Sequence, residues 1–135
     1  MKVALVQMDS TEIREKNEEK ALRLMEQAME QNPDIICLSE SFVYWGKDET
    51  QRRCKLEDIE KYQSFARKNE INLVLGSVSL IQENSDKTTN SCFVINRKGE
   101  IVHRYDKKYM YRVNKENLQI DEEERTIPRR NKWHF

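Results

Sequence analysis

Residues 33–42 read Pro33-Asp34-Ile35-Ile36-Cys37-Leu38-Ser39-Glu40-Ser41-Phe42. The proline stops any helix that reaches it, because the residue before a proline is pushed out of the α region. Ile35 to Leu38 is then a short apolar run between polar neighbours, the pattern of a strand buried on both faces. Working back, Val3-Ala4-Leu5-Val6 is a second run of the same kind. Between the two, Ala21, Leu24, Met25, Ala28 and Met29 recur at helical spacing, with Asn17 as the expected N-cap and Glu18-Glu19 as an acidic first turn. Strand, helix and strand in that order make a β-α-β unit, whose strands are parallel and joined by a right-handed crossover.

Working forward, residues 41–55 combine Phe42, Tyr44 and Trp45 with Gly46 and a polar stretch, the composition of a loop at the carboxyl end of a strand. Open α/β sheets place their sites on such loops. A second amphipathic helix is predicted from Leu56 to Lys68, with Ile59, Tyr62, Phe65 and Ala66 on one face. Ile71 to Ile81 reads as a long strand interrupted by Gly76. Glu83 to Thr89 is turn-rich, and Cys92-Phe93-Val94-Ile95, Arg97-Lys98-Gly99 and Ile101-Val102 form a hairpin pattern. The order is β-α-β-α-β-β-β, an α/β class. After Tyr111 the period is lost among charge runs such as Glu122-Glu123-Glu124 and Arg129-Arg130.

The 135 residues suit one domain. Lys plus Arg and Asp plus Glu both number 24, so there is no global field to recruit nucleic acid or an anionic membrane. A hydrophobic fraction of 37% beside a charged fraction of 36% fits a thin core, or a chain lacking part of its core. Cys37, Cys54 and Cys92 are widely spaced and form no C-x-x-C pair, which argues against a zinc site and a disulfide scaffold. The opening apolar run is too short for a signal peptide, and no segment is long enough to span a bilayer, so the expected location is the cytoplasm.

Two side chains could carry chemistry. Glu40 follows the strand Ile35 to Leu38 directly, which puts a carboxylate at a sheet edge beside the aromatic loop, partly buried and placed to act as a general base. A lone carboxylate in that position is more often a cap or a salt-bridge partner. Lys107 leaves the hairpin in Tyr105-Asp106-Lys107-Lys108-Tyr109-Met110, where an inward-pointing ammonium can donate to a developing oxyanion. A lone lysine there is more often a surface residue.

The conjunction carries more than either residue. Val3-Ala4-Leu5-Val6-Gln7-Met8, the helix that follows it, the segment Pro33 to Phe42, and Asn90-Ser91-Cys92-Phe93-Val94-Ile95 leading through Gly99 to Tyr105-Asp106-Lys107 together resemble the nitrilase superfamily of carbon-nitrogen hydrolases, in order and in spacing. The family's glutamate segment usually reads aliphatic-aliphatic-Pro-Glu and its lysine segment Tyr-Arg-Lys-x-His-Leu. Here Ser39, Asp106, Tyr109 and Met110 depart from those patterns, flanking the two reactive positions without touching them.

The resemblance implies a partial α-β-β-α sandwich, with residues 1–111 as the amino-terminal part of a carbon-nitrogen hydrolase domain and 112–135 as an irregular charged tail where the family pattern is lost. It implies Glu40 as general base and Lys107 as stabiliser of a tetrahedral intermediate, serving a cysteine that attacks an amide or nitrile carbon, without metal or organic cofactor. That cysteine belongs beyond the lysine, and Cys37, Cys54 and Cys92 all precede it. The family also carries a further glutamate after the lysine, for which Glu116 and Glu122 to Glu124 are equal candidates.

Three readings follow. In the first, the chain is a hydrolase truncated before its nucleophile and inactive alone, acting on a small amide or nitrile once completed. In the second, it is a noncatalytic remnant or a partner subunit that pairs with a full-length relative through the family's interface. A truncated chain on its own exposes the inner face of its sheet and is expected to self-associate. The third, an unrelated ligand-binding domain, calls for a phosphate-cradling glycine loop after the first strand, and Met8-Asp9-Ser10-Thr11 has none.

Overall fold

The computed structural model describes residues 1–116 and 118–128. Their core is a sheet of β1 (Val3–Val6), β2 (Ile35–Leu38), β4 (Asn72–Ile81), β5 (Thr88–Ile95) and β6 (Ile101–Asp106) in that spatial order, with the short β3 (Arg53–Cys54) pairing the far end of β4. β1, β2 and β4 are mutually parallel, while β5 and β6 each run antiparallel to the neighbour before them. The carboxyl ends of β1, β2, β4 and β6 therefore share one edge of the sheet with the start of β5.

Two main helices connect these strands: α1 (Arg14–Met29) between β1 and β2, and α3 (Glu60–Asn69) before β4. Both pack on one face. The registers Ala4↔Ile36, Ile36↔Leu73 and Leu73↔Ile95 put Ile36, Leu73 and Ile95 in one row of that face. They are buried together with Ala21 and Met25 of α1 and with Tyr62, Phe65 and Ala66 of α3. Each large side chain buried here contributes about 1.5–3 kcal/mol relative to exposure. The opposite row, Val3↔Ile35, Leu5↔Cys37 and Val74↔Val94, is apolar apart from Asn72 beside Ile35, yet stays open, with Val3 43% and Leu5 78% exposed. The result is one helical layer on one sheet, the α-β half of a sandwich.

Several expectations change in detail. α1 begins three residues before Asn17, with Ile13 at its N-cap and no side-chain cap. Asn17 is 1% exposed inside the helix instead, because its amide has stronger work to do than capping. Its Oδ1 accepts from the Thr11 N–H at 2.9 Å, and its Nδ2 donates to the carbonyls of Thr11 at 2.8 Å and Val43 at 3.0 Å. One side chain thus stitches the loop after β1 to the loop after β2, satisfying backbone groups that burial would otherwise orphan.

The predicted second helix opens as a 3₁₀ turn, Leu56–Ile59, before α3. The aromatic segment is a loop after β2, as its composition implies, but much of it is buried. Phe42, Val43 and Tyr44 are buried, Phe42 meets Tyr62 edge-on at 5.5 Å, and only Trp45 projects, 64% exposed. A short helix α2 (Glu49–Arg52) follows it. In the stretch expected to be irregular, β7 (Arg112–Lys115) and β8 (Leu118–Asp121) form a two-stranded antiparallel sheet, and Glu122–Glu124 then make a 3₁₀ turn capped by Asp121. The rest of the expected tail, 129–135, lies outside the described residues. No helix among the described residues is long and apolar enough to cross a membrane.

Candidate active site

The shared sheet edge gathers the two residues singled out from the sequence. Glu40 sits two positions past β2, on a turn that Ser41 closes with a left-handed backbone, φ 54°. A non-glycine residue in that region is strained and persists where surrounding contacts impose it. Here the Ser77 hydroxyl of β4 accepts from the Ser41 N–H at 3.2 Å. Lys107 is the first residue beyond β6, and its backbone N–H donates to the Asn90 carbonyl at 2.8 Å, extending the β5–β6 ladder by one step.

That step aims the lysine back across β5. Lys107 Nζ lies 3.1 Å from Glu40 Oε1 and 3.0 Å from Glu122 Oε2. Asn90 Nδ2 donates to Glu40 Oε1 at 2.8 Å and to Glu122 Oε1 at 3.2 Å. Glu122 also accepts from the Tyr111 N–H at 2.8 Å, while its own N–H donates to the Tyr111 carbonyl at 3.1 Å. Two carboxylates thus hold one ammonium between them, with an amide bridging both.

Of the four candidates for the further glutamate, the fold brings Glu122 to Lys107. Glu123 is drawn instead to Arg112, and the side chain of Glu122 is 13% exposed at the cluster. The sequence reasoning could not choose among them because it saw no hairpin before the acidic run. Asn90 carries no sequence signal of its own beyond its place in a strand, and only the fold shows its amide bridging the two carboxylates.

The electrostatics fix the protonation of the pair. Burial alone would lower the Lys107 pKa, but hydrogen bonds from Nζ to Glu122 and Glu40 outweigh it and hold the group above the ordinary lysine value. Burial would raise that of Glu122, but the Tyr111 N–H and then Lys107 and Asn90 hold it below the ordinary carboxylate range. Lys107 is therefore an ammonium and Glu122 a carboxylate across the neutral range. Glu40 differs in access. Its side chain is 58% exposed, more open than the partly buried carboxylate expected from the sequence.

The cluster borders a cavity of about 830 Å³, lined also by Ser10, Trp45, Arg52 and Arg125. Three anchored groups around one open space can take a proton, donate to an oxyanion and hold the donor in place. Cys37, Cys54 and Cys92 are not among the described residues that line this cavity. Burial raises all three thiols above their ordinary value, to about 11 at Cys54, the opposite of an activated nucleophile.

The carbon-nitrogen hydrolase family model matches residues 2–133, nearly the whole sequence. The chain belongs to the carbon-nitrogen hydrolase family. This carbon-nitrogen hydrolase chain is 27% identical over 132 residues to nitrilase homolog 2 of Dictyostelium discoideum, an alignment covering 94% of this chain and 40% of that relative. Nit3 of Saccharomyces cerevisiae, a member of branch 10 of the nitrilase superfamily, superposes with a TM-score of 0.79 at 21% identity, over 97% of this chain and 49% of that one.

A glutamate-to-glutamine variant of the amidase from Nesterenkonia sp. AN1 superposes with a TM-score of 0.75 at 17% identity, over 97% of this chain and 49% of that one. The active-site cysteine of that variant carries the acetamide moiety of fluoroacetamide. The α/β architecture is thus that of the nitrilase superfamily, and the chain spans 40% of the curated relative and about half of each solved neighbour. The family match runs through residues 112–121, whose hairpin carries Glu122 into the site.

Proposed function

We propose that this chain supplies the base and the oxyanion-stabilising half of a site that hydrolyses the C–N bond of a small amide or nitrile. The observation that carries the reading is the Glu40–Lys107–Glu122 cluster on an open cavity, with Lys107 Nζ at 3.1 Å and 3.0 Å from the two carboxylates. With an amide, Glu40 takes the proton of an attacking thiol, sulfur bonds to the substrate carbon, and the carbonyl electron pair moves onto oxygen, where Lys107 donates to it. When the tetrahedral adduct collapses, Glu40 returns its proton to the departing nitrogen. A water that Glu40 deprotonates then attacks the resulting thioester carbon, the C–S bond breaks to release the acid, and Glu40 returns the proton to the departing thiolate. Glu122 touches none of these atoms and positions Lys107.

The reading calls for a nucleophilic cysteine other than Cys37, Cys54 and Cys92, which neither line the cavity nor carry lowered thiol pKa values. Without it the chain is inactive alone. A second reading, a noncatalytic remnant or a partner subunit of a full-length relative, draws its support from the same cavity, which none of the three cysteines lines among the described residues. Joining this chain to the carboxyl-terminal half of a related amidase separates the two readings. Ammonia release from simple amides by the joined protein supports inherited chemistry, and a folded but inert protein supports the remnant.

A further inference from the structure

Glu40 and Glu122 hold the tip of Lys107, but what fixes its backbone lies on the other face of the sheet. Side chains alternate between faces along a strand. Asn90 of β5 points toward the cavity, so Ser91 points the other way, toward the helix-covered face with Phe93 and Ile95, and is 0% exposed. The register partner of Ser91 is Asp106, the last residue of β6. Asp106 therefore points with Ser91, and Lys107, the next residue, points back to the cavity.

Four side chains close a ring on that far face. Ser91 Oγ donates to Asp106 Oδ1 at 2.7 Å, and Arg104 Nε donates to the same oxygen at 2.8 Å. Arg104 Nη2 donates to Thr89 Oγ1 at 3.2 Å, and the Thr89 and Ser91 hydroxyls lie 2.8 Å apart. Each hydroxyl has one proton to give. Ser91 gives its own to Asp106, so Thr89 donates to Ser91 and accepts from Arg104 and from Gln82 Nε2, the latter at 2.9 Å. Every direction in the ring agrees. The Arg104 guanidinium carbon also lies 5.8 Å from the centroid of the Phe93 ring. A network whose members are all satisfied is rigid.

Asp106 is also one of the residues that depart from the family's lysine segment. An arginine in its place would remove the acceptor that Ser91 and Arg104 share and set two guanidinium groups on one strand face. A lysine side chain is long and flexible, so where its ammonium goes depends on where its backbone is fixed.

We propose that Asp106 is a positioning residue: through its ring with Ser91, Arg104 and Thr89 it fixes the end of β6, so that Lys107 presents its ammonium between Glu40 and Glu122. The proposal deepens the hydrolase reading and takes its functional sense from Lys107 as the oxyanion donor. Asp106 touches none of the reacting atoms and acts through its neighbour.

The test is competitive acetylation of this protein by a limiting amount of N-acetoxysuccinimide, with the rate at each lysine read by peptide mass spectrometry. An ammonium held on carboxylates keeps its proton and reacts slowly, and a released one reacts faster. Lys61 of α3, paired with Glu18 of α1, is the internal control, its side chain 35% exposed against 26% for Lys107. Asp106→Ala should speed acetylation of Lys107 relative to Lys61 by roughly tenfold or more, the scale of one lost hydrogen bond to a charged group. Asp106→Asn keeps an acceptor oxygen and should keep most of the protection. Ser91→Ala removes one of the two bonds to Asp106 and should give a smaller rise, so that variant decides the question if Asp106→Ala does not fold.

Lys107 reacting at the parent rate in the alanine variants would overturn the proposal. So would a parallel rise at Lys61, the mark of a fold loosened throughout, or an Asp106→Asn protein as reactive as Asp106→Ala. Acetylation reads where Lys107 is held and not turnover. A failed ring would leave the Glu40–Lys107 chemistry untouched, and failure of that chemistry would leave the ring.

Discussion

At the scale of single residues, the site depends on one lysine serving two carboxylates, and pH reads out that arrangement. Glu122 has a folded pKa below its ordinary value of 4.5, so its contribution to stability is full above that value and lost as pH falls through the depressed one. Lys107 has a folded pKa above its ordinary value of 10.5, so its contribution is full below that value and lost as pH rises through the raised one. Thermal melts across pH should therefore show a plateau between the two. Glu122→Gln should lower stability on the plateau by about 1–2 kcal/mol and flatten the acid limb, since the variant removes a charged hydrogen-bond acceptor.

Glu40 and Lys107 were legible before the structure because each directly follows a strand within a recognisable segment. Glu122 was not, because three consecutive glutamates look alike in sequence, and only the turn capped by Asp121 decides which one points at Lys107. Asn17 illustrates a different limit. A helix-start pattern favours Asn as a cap, but two neighbouring loops needed a donor and an acceptor, and that tertiary demand overrode the local preference.

At the scale of elements, the strand ends converge on the site because β2, β4 and β6 finish at one edge. Gly76 lies where β4 passes the end of β2. A Cβ added there would meet the Leu38 carbonyl oxygen at 2.2 Å and that of Ser39 at 2.3 Å, both backbone atoms next to Glu40. The same region holds the register shift between Leu75 and Val78 in the pairing with β5, so the interruption read at Gly76 is a bulge that keeps β4 continuous. Gly76→Ala should cost about 2 kcal/mol or more in a denaturant melt, because backbone cannot yield as a flexible side chain does. An unchanged midpoint would mean that the two strands are not in close contact.

The β-α-β core was readable because buried parallel strands are continuous apolar runs, distinct from the helix between them. β7 and β8 were not, since Arg112-Val113-Asn114-Lys115 holds one apolar residue in four. Short, polar strands of this kind are defined by their partner rather than by their own pattern.

At the scale of the whole molecule, the most telling feature is a sheet covered on one face only among the described residues. The open face carries Val3 and Leu5, both exposed, and the half-buried Ile35, Cys37, Val74 and Val94, interrupted by Asn72 beside Ile35, a largely apolar surface of the kind that marks an interface. A polypeptide of this sequence should therefore self-associate, eluting from gel filtration well above its 16.3 kDa. Leu5→Lys, at a position 78% exposed, should shift it toward the monomer without lowering its melting temperature. A sharp monomer peak from the unsubstituted chain, with a cooperative melt, would mean that the face is not adhesive.

The central claim is that Glu40 and Lys107 are the base and the oxyanion donor of an amide- or nitrile-cleaving site. Its most direct test is kcat/KM for ammonia release by the protein completed with a cysteine-bearing carboxyl-terminal half, measured for the parent sequence, Glu40→Gln and Lys107→Ala. The account expects each substitution to lower it by roughly 10²-fold or more, the range for losing a general base or an oxyanion donor, with the fold retained. An active completed protein whose rate is unchanged by Glu40→Gln would contradict it.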